Sequence, residues 1–341
     1  MIRGNKKGET RQNSVTQKDV ATLAGVSVAT VSRVLNNVNS VDAQIRTKVE
    51  KAIYELRYTP NEIARSLRVR ATNTVGMVAP EIANPFAMEV ASGAQRVFHN
   101  LGYTTMVSGS ESKLSNERSN LNMLADKRVD GLLVTPVSSN PQELERINKW
   151  VPIVLIDYVN TNRFDSVRVD NVEGAFHAVS HLVTRGYRHI ATIAGPQKYT
   201  SDRERLEGFF RAMGHHNLDV PSRYVRHGDF FIEGGYTQCR NLLDDCPEIE
   251  AVFAANNLMG IGAFKAIRDS GREMPRDVAL CIFDDFLMAD MAAPPLTVIA
   301  QPTFAIGETA ARMLVERITK AFTGGARQVL LKPKLIVRES T

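Results

Sequence analysis

Short apolar runs that alternate with helical patterns fill the chain from Thr74 onward, and they constrain its fold more than any other feature. Such runs, bounded by helical segments, are typical of buried parallel strands. The runs lie at 75–79, 104–107, 132–134, 153–156, 190–194, 251–254 and 278–283, and the helical patterns at 86–100, 115–127, 172–184, 203–213, 232–243, 258–270 and 303–322. The alternation predicts an α/β fold of doubly wound parallel sheets with right-handed crossovers.

A different pattern, two short helices around a tight turn, lies at 16–36 and indicates an all-α helix-turn-helix domain. Thr16 and Asp19 form a start like a capping box, Gly25 supplies the turn, and Ser27 is an N-cap candidate for the second helix. The second helix presents small and polar residues outward: Val28, Ala29, Ser32, Arg33 and Asn36, with Thr30 beside the cap. A short helix of this kind fits the major groove of DNA.

Positive charge is concentrated around this helix pair. The chain carries a net charge of +5, and its first 70 residues hold 13 Lys and Arg against 6 Asp and Glu, which leaves the remainder slightly acidic. A basic region beside a helix-turn-helix is what neutralisation of DNA phosphates requires. Alone, such a flank could also be a solvated surface.

Several motifs together resemble those of the lactose-repressor family of bacterial transcription regulators, with ribose- and purine-responsive members the most similar. They are Asp19-Val-Ala, Ala24-Gly-Val-Ser, Thr30-Val-Ser-Arg-Val-Leu-Asn, Tyr58-x-Pro60-Asn61 and Ala64-Arg-Ser-Leu67. The resemblance implies DNA contacts from Thr16, Ser27, Val28, Ala29, Thr30, Ser32, Arg33 and Asn36. It also implies a hinge helix with Asn61, Ala64 and Leu67, in which Leu67 enters the minor groove at the operator centre. A plain linker is the alternative for the hinge segment.

The resemblance and the hydrophobic pattern together divide the chain into four parts. These are a disordered basic tail at 1–13, the helix-turn-helix domain at 14–60, a hinge helix and linker at 61–73, and an effector-binding and dimerisation domain at 74–341. In the family this last domain has two lobes of the periplasmic-sugar-binding type. The first lobe is expected at about 74–171 and 303–330, and the second at about 172–301 and 331–341.

Polar residues that directly follow predicted strands are candidates for the cleft between the lobes. Asp157, Asn256, Asn257, Asp284 and Asp285 all have this position. Because the carboxyl ends of parallel strands face the cleft, these side chains could hydrogen-bond the vicinal hydroxyls of a sugar. Capping of the next helix is the alternative, and it is the favoured interpretation for Asn257 and Asp285.

The family resemblance implies a particular set of effector contacts. It matches an arginine segment at 203–205, polar ligand contacts, a residue at the lobe crossover and two aromatic walls. The implied effector residues are Phe86, Arg203, Arg205, Phe230, Asn256, Asp284 and Gln301, and the position directly after a predicted strand adds Asp157 to the candidate set. A core role is the alternative for the two phenylalanines, whose faces could otherwise stack on sugar C–H groups.

Catalytic, metal and membrane patterns are weak. His177 and His181 have an i, i+4 spacing without a third ligand, and the glycines at 260 and 262 lack the rest of a dinucleotide fingerprint. Three cysteines without ligand spacing predict reduced, packed thiols. We therefore expect no catalytic residues, no metal, no cofactor, no membrane span and a cytoplasmic location.

These observations predict a homodimeric transcriptional repressor of a carbohydrate-utilisation operon. It is expected to bind a pseudo-palindromic double-stranded operator and to respond to a small sugar or sugar derivative held between its lobes. A dimer is favoured because the residues after Val337 carry no leucine heptad. A purine-type corepressor system and a solute-binding module are the alternatives, and the sign of the response to ligand is left open.

Overall fold

A computed structural model describes residues 15–35, 41–59, 71–138, 142–158 and 163–341. The chain divides into two compact units, Met1–Thr72 and Asn73–Thr341. The predicted basic tail and hinge helix fall almost wholly on 1–14 and 60–70, which lie outside the described residues.

The N-terminal unit contains the predicted helix pair followed by a third helix. Its helices are α1 (Gln17–Ala24), α2 (Val28–Leu35) and α3 (Ala43–Glu55). They enclose a small core of Val20, Ala21, Val31, Val34, Val49, Ala52 and Tyr58. Leu23 of α1 is 50% exposed, because it lies about 200° around the helix from the buried Ala21.

The ends of the first two helices are fixed as the sequence predicts. The backbone N–H of Thr16 donates to Asp19 Oδ2 at 2.8 Å, and the Asp19 N–H donates back to Thr16 Oγ1, which completes the capping box. Gly25 ends α1 with φ of 66°, a left-handed conformation that favours glycine. Ser27 Oγ accepts the N–H of Thr30 at 3.1 Å and caps α2.

The first lobe of the large unit is built on a parallel six-stranded sheet. Its strands are β1 (Thr74–Ala79), β2 (Thr104–Gly109), β3 (Gly131–Val134), β4 (Ile153–Ile156), β5 (Asp165–Val169) and β11 (Gln328–Leu331), in the order β11-β5-β4-β3-β1-β2. Helices α4 (Pro85–Asn100) and α12 (Thr303–Ile318) cover one face, and α5 (Leu114–Asp126) and α6 (Gln142–Asn148) cover the other.

The second lobe repeats this plan with one reversed strand. Its strands are β6 (Ile190–Ala194), β7 (Val225–His227), β8 (Ala251–Ala254), β9 (Ala279–Phe283), β10 (Thr297–Ala300) and β12 (Lys334–Ile336), in the order β12-β10-β9-β8-β6-β7. Only β12 runs antiparallel to its neighbour among the described strands. Helices α7 (Asn171–Thr184) and α8 (Thr200–His215) cover one face; α9 (Ile232–Asp245) and α10 (Asn257–Asp269) cover the other, and the short α11 (Leu287–Met291) follows β9.

The α/β prediction is confirmed, although it missed five of the described strands. All seven predicted strands are present, but β5, β7, β10, β11 and β12 were not predicted. Three of these strands, β7, β11 and β12, are short edge strands, and charged residues interrupt β5, whereas β10 is a short apolar run that the prediction missed. The prediction that 104–107 is buried is wrong, because β2 is an edge strand with Val107 45% exposed.

The chain passes between the two lobes three times. It crosses from β5 to α7 at Asp170, from β10 to α12 at 301–302, and from β11 to β12 at 332–333. Residues just after β4, β8, β9 and β10 therefore meet at the carboxyl ends of both sheets, where open α/β folds bind ligands.

Candidate functional site

A cavity lies between the two lobes at the carboxyl ends of their strands. Its empty space, including the mouth, is about 820 Å³, which suits a small ligand. It is lined by Ala79, Pro80, Glu81, Asn84, Phe86, Ala87, Ser112, Thr135, Pro136, Asp157, Tyr158, Tyr199, Thr200, Ser201, Arg205, Phe230, Asn256, Asp284 and Gln301.

Seven of the eight predicted effector residues line this cavity: Phe86, Asp157, Arg205, Phe230, Asn256, Asp284 and Gln301. Arg203 lies outside the lining; it is exposed, and its Nη1 donates to the carbonyl oxygen of Gln197 at 2.8 Å. Both arginines are on α8, where two positions of sequence turn a side chain by about 200° around the helix axis. The two side chains therefore point in nearly opposite directions.

Arg205 is the centre of a buried polar network. Its Nε donates to Asn171 Oδ1 at 2.9 Å, and its Nη1 donates to the carbonyl oxygen of Ala255 at 2.7 Å. The guanidinium also lies 3.9 Å from the centre of the Phe283 ring and 3.9 Å from Asp284 Oδ2. Contacts with three elements hold this cation in one place.

The same network reaches the first lobe. Glu204 accepts a hydrogen bond from Asn171 Nδ2 at 2.9 Å and pairs with Nη1 of Arg168, a residue of β5, at 2.8 Å. A continuous chain of hydrogen bonds thus runs from a first-lobe strand through Glu204 and Asn171 to Arg205. The position of Arg205 is coupled to the way in which the two lobes meet.

Two asparagines at the start of α10 have different roles. Asn256 is the N-cap, accepting the N–H of Met259 at 2.9 Å. Asn257, the predicted cap, is the first helical residue; its Nδ2 donates across the cleft to Asn84 Oδ1 at 3.2 Å. The capping interpretation of Asn257 is wrong by one residue, because β8 ends at Ala254 and the turn places Asn256 at the cap.

The capping interpretation of Asp285 is also wrong. Asp285 pairs with Arg338 Nη2 at 3.1 Å, and its Oδ1 accepts the N–H of the next residue, Phe286. The helix α11 begins beyond it without a side-chain cap.

Asp157 carries the least satisfied charge in the cavity. Burial raises the pKa of its carboxyl to about 6, although the charge of Arg205 and the Ser201 hydroxyl oppose that rise. Within the described part of the chain, Asp157 Oδ1 has no hydrogen-bond partner. Gln301 donates its amide to Asp284 Oδ1, which leaves Gln301 Oε1 likewise without a partner there.

Several residues of the cavity lining have a strained backbone. Asp157, Phe230 and Asp284 have φ of 53°, 74° and 80°, in the left-handed region that bulky residues rarely adopt. Position 195, which packs against Phe230, fits only glycine. A Cβ there would approach the Phe230 ring to 2.3 Å. Each strained residue directly aims a side chain or backbone group at the cavity.

Several lining residues were not predicted from the sequence. Tyr199 stacks beside Phe230 with ring centres 5.3 Å apart, and Thr200 and Ser201 begin α8 at the mouth. They follow β6 through a longer loop than the polar residues that the sequence analysis selected. The sequence feature that could have identified them is the end of β6, but they lie five to seven residues after it, beyond the one or two positions that were considered after each strand.

The outward face of α2 is available to solvent within its own unit. Val28 is 43% exposed, Ala29 and Arg33 are exposed, and Thr30 and Ser32 are half-buried. Of the remaining predicted DNA contacts, Thr16 and Ser27 are the caps described above, whereas Asn36, Asn61, Ala64 and Leu67 lie outside the described residues.

Other candidate sites have structural explanations. His177 lies 3.2 Å from Glu173, His181 bonds Thr341 Oγ1 at 2.8 Å, and the three cysteines are buried and unpaired. In the described ranges no cluster of His, Cys, Asp and Glu could hold a metal ion. None of the helices described there has the length and apolar character that a membrane crossing requires.

Comparison with known proteins agrees with both halves of this architecture. Residues 16–61 match the family model described as bacterial regulatory proteins, lacI family, and residues 179–341 match a periplasmic binding protein-like domain. The ribose operon repressor of Escherichia coli (strain K12) is 37% identical over 95% of this chain and 99% of that protein.

Solved structures give the same result. A transcriptional regulator CelR–cellobiose complex has a TM-score of 0.74 at 35% identity, covering 96% of this chain and 100% of that one. The lac repressor dimer bound to operator and the anti-inducer ONPF has a TM-score of 0.86 at 29% identity, covering 96% and 99%. These relatives are transcription regulators, and the chain is a DNA-binding transcription regulator that belongs to the lacI family of bacterial regulatory proteins.

Proposed function

We propose that this regulator is a homodimeric repressor of a sugar-utilisation operon, whose affinity for operator DNA is set by a sugar bound between its lobes. The single observation that carries the proposal is the composition of the cavity. Polar groups of Arg205, Asn256, Asp284 and Gln301 line it together with aromatic rings, a mixture that suits the alternating O–H and C–H surfaces of a sugar.

The names of its relatives support this class of effector. One relative is a ribose operon repressor, and one solved neighbour is a complex with cellobiose. Purine-responsive regulation is the competing proposal, because a flat base could also lie against Phe230 and Tyr199. The several polar groups in the same lining favour the sugar.

On the DNA side, we propose that α2 enters the major groove of each operator half-site. Arg33 supplies charge and a hydrogen-bonding fork, whereas Val28 and Ala29 offer only methyl contacts. Base choice at those steps therefore depends on thymine methyl groups and DNA shape. Asn61, Ala64 and Leu67 are proposed to form the hinge that inserts at the operator centre.

Effector binding changes the angle between the lobes, and a dimer transmits that change to its paired hinges. The coupling free energy between such sites is about 1–3 kcal/mol. A monomeric regulator could not pair two hinges over one operator centre, so the dimer is part of the proposal.

A thermal-shift screen of the full chain tests the effector class. The panel contains D-ribose, D-xylose, D-glucose, D-galactose, cellobiose, adenosine, hypoxanthine and guanine. A cognate ligand at 100 times its Kd stabilises the folded state by about 2.7 kcal/mol, which gives a clear rise in Tm. We expect a sugar to give that rise, confirmed by calorimetric titration; a rise with a purine alone would replace the sugar by a corepressor.

A further inference from the structure

The charges that line the cavity are unbalanced. Glu81, Asp157 and Asp284 contribute three carboxyl groups, and Arg205 is the one cation in the described lining. The two gaps of the large unit, 139–141 and 159–162, contain no charged residue, so they do not alter this count. With all four groups ionised, the lining carries a formal charge of −2.

The positive charge of Arg205 is already engaged by the protein. Its Nε and Nη1 donate to Asn171 and Ala255, and Asp284 lies 3.9 Å away. Lys198 and Arg203, which neighbour lining residues in the sequence, lie outside the lining, against the Tyr199 ring and a backbone carbonyl respectively. A phosphate inside the cavity would therefore meet carboxylates without a new counter-charge.

Two buried oxygens of the lining have no partner among the described residues, and both require a hydrogen-bond donor. Asp157 Oδ1 and Gln301 Oε1 are both acceptors, and Gln301 is only 9% exposed. A buried acceptor that lacks a donor costs about 1–3 kcal/mol. A ligand hydroxyl can supply the missing proton to each oxygen, whereas phosphorylation replaces one such hydroxyl by a dianionic group that has no proton to donate.

We propose that the cavity selects an uncharged ligand with at least two hydroxyl donors and excludes its phosphorylated form, with Asp157 and Gln301 as the specificity-determining residues. This inference rests on the proposed sugar response and narrows it to free sugars, as opposed to the sugar phosphates of metabolism. The regulator thus senses a sugar before its phosphorylation.

Matched pairs of ligands test the inference by calorimetric titration of the full chain at pH 7.5. The pairs are D-ribose with D-ribose 5-phosphate, D-glucose with D-glucose 6-phosphate, and D-fructose with D-fructose 1-phosphate. We expect the free sugar of the responsive pair to bind at least 100-fold more tightly than its phosphate. Equal or tighter binding of a phosphate overturns the inference and leaves the sugar response intact, whereas binding of no sugar, in these pairs or in the thermal-shift panel, overturns both.

Asp157→Asn provides the residue-level test. It removes one carboxylate and adds an amide donor, so we expect the preference for the free sugar over its phosphate to fall at least tenfold. Asp285→Asn is the matched control, since Asp285 is paired with Arg338 outside the lining, and its preference should equal that of the parent. If Asp157→Asn is folded by circular dichroism and keeps the parent's preference for the free sugar over its phosphate, Asp157 does not determine that specificity.

Discussion

The cavity places its recognition groups on buried side chains that neighbouring residues fix, whereas the outward face of α2 places them on exposed side chains. Arg205 is held by Asn171 and Ala255, and Asp284 has a strained backbone. Val28, by contrast, is 43% exposed within its unit. One surface is complete before its ligand arrives, and the other acquires its contacts only on DNA.

This difference predicts how each surface responds to substitution. A change in the cavity leaves a buried group without its partner, which costs more than the contact itself. A change on α2 removes a few methyl contacts and leaves the small core of the N-terminal unit intact. Cavity variants should therefore alter stability as well as affinity, and α2 variants should alter affinity for particular base pairs.

The largest effect is expected from Arg205→Met. It leaves Asp284 without its cation and the Ala255 carbonyl without its donor, and breaking a buried pair costs about 3–5 kcal/mol. We expect at least a 100-fold loss of sugar affinity by calorimetry. Arg203→Met, two residues away on the opposite side of α8, should change affinity less than twofold. Equal losses in the two variants would contradict the placement of these arginines.

Asp157→Asn should make the folded protein more stable at pH 7.5. The pKa is 3.8 in the unfolded chain and about 6 in the folded one, where burial dominates and Arg205, Asp284 and Glu204 are the nearby charges. Between these values the folded state binds more protons, so the free energy of unfolding falls as pH rises. Well above pH 6, ionisation of Asp157 lowers the free energy of unfolding by about 3 kcal/mol in total.

Urea unfolding at several pH values measures this effect. The free energy of unfolding of the variant should exceed that of the parent at pH 7.5, and the difference between the two should shrink as the pH falls toward 4. Its sugar affinity should fall at the same time, because the carboxylate is an acceptor for the ligand. A constant difference across the pH range would show that Asp157 does not titrate as its burial requires.

A smaller effect is expected from Asn257→Ala, which removes the hydrogen bond to Asn84 across the cleft. A net hydrogen bond contributes about 0.5–1.5 kcal/mol, so sugar affinity should fall roughly tenfold or less. Asn241→Ala, on the exposed surface of α9, is the matched control. No loss in Asn257→Ala relative to this control would mean that the cross-cleft bond does not stabilise the bound arrangement.

The smallest effect is expected from Val28→Ala, at about 1 kcal/mol on a selected operator. The loss should be confined to one symmetric pair of half-site positions. Replacing the contacted thymine by uracil removes the same methyl contact, so the two changes should not be additive in a double-mutant cycle. Equal weakening on every sequence would exclude a role for Val28 in base choice.

The sequence allowed prediction of those features that depend on local pattern. Asp157, Asn256 and Asp284 could be placed at the cleft because each directly follows an apolar run, and parallel strands share one carboxyl edge. Arg205 and Arg203 could not be separated, because the family motif includes both and the start of α8 decides which one faces inward.

Other features depend on three-dimensional packing and have no local signal. The left-handed backbone of Phe230 and the partnerless oxygen of Gln301 depend on neighbours that are distant in the sequence, such as Gly195 and Asp284 respectively. The cap at Asn256 differs from the predicted one at Asn257 by a single residue, which a pattern of adjacent asparagines cannot distinguish. Edge strands such as β7 and β12 are too short to produce a periodic signal.

Operator affinity measured with and without the sugar shows whether the cavity controls DNA binding. Fluorescence anisotropy of an operator obtained by in vitro selection gives the Kd of the full chain in both conditions. We predict a change of about 5- to 150-fold, equivalent to 1–3 kcal/mol of coupling, that is absent in Arg205→Met. An operator Kd that is the same with saturating sugar as without it would contradict the account.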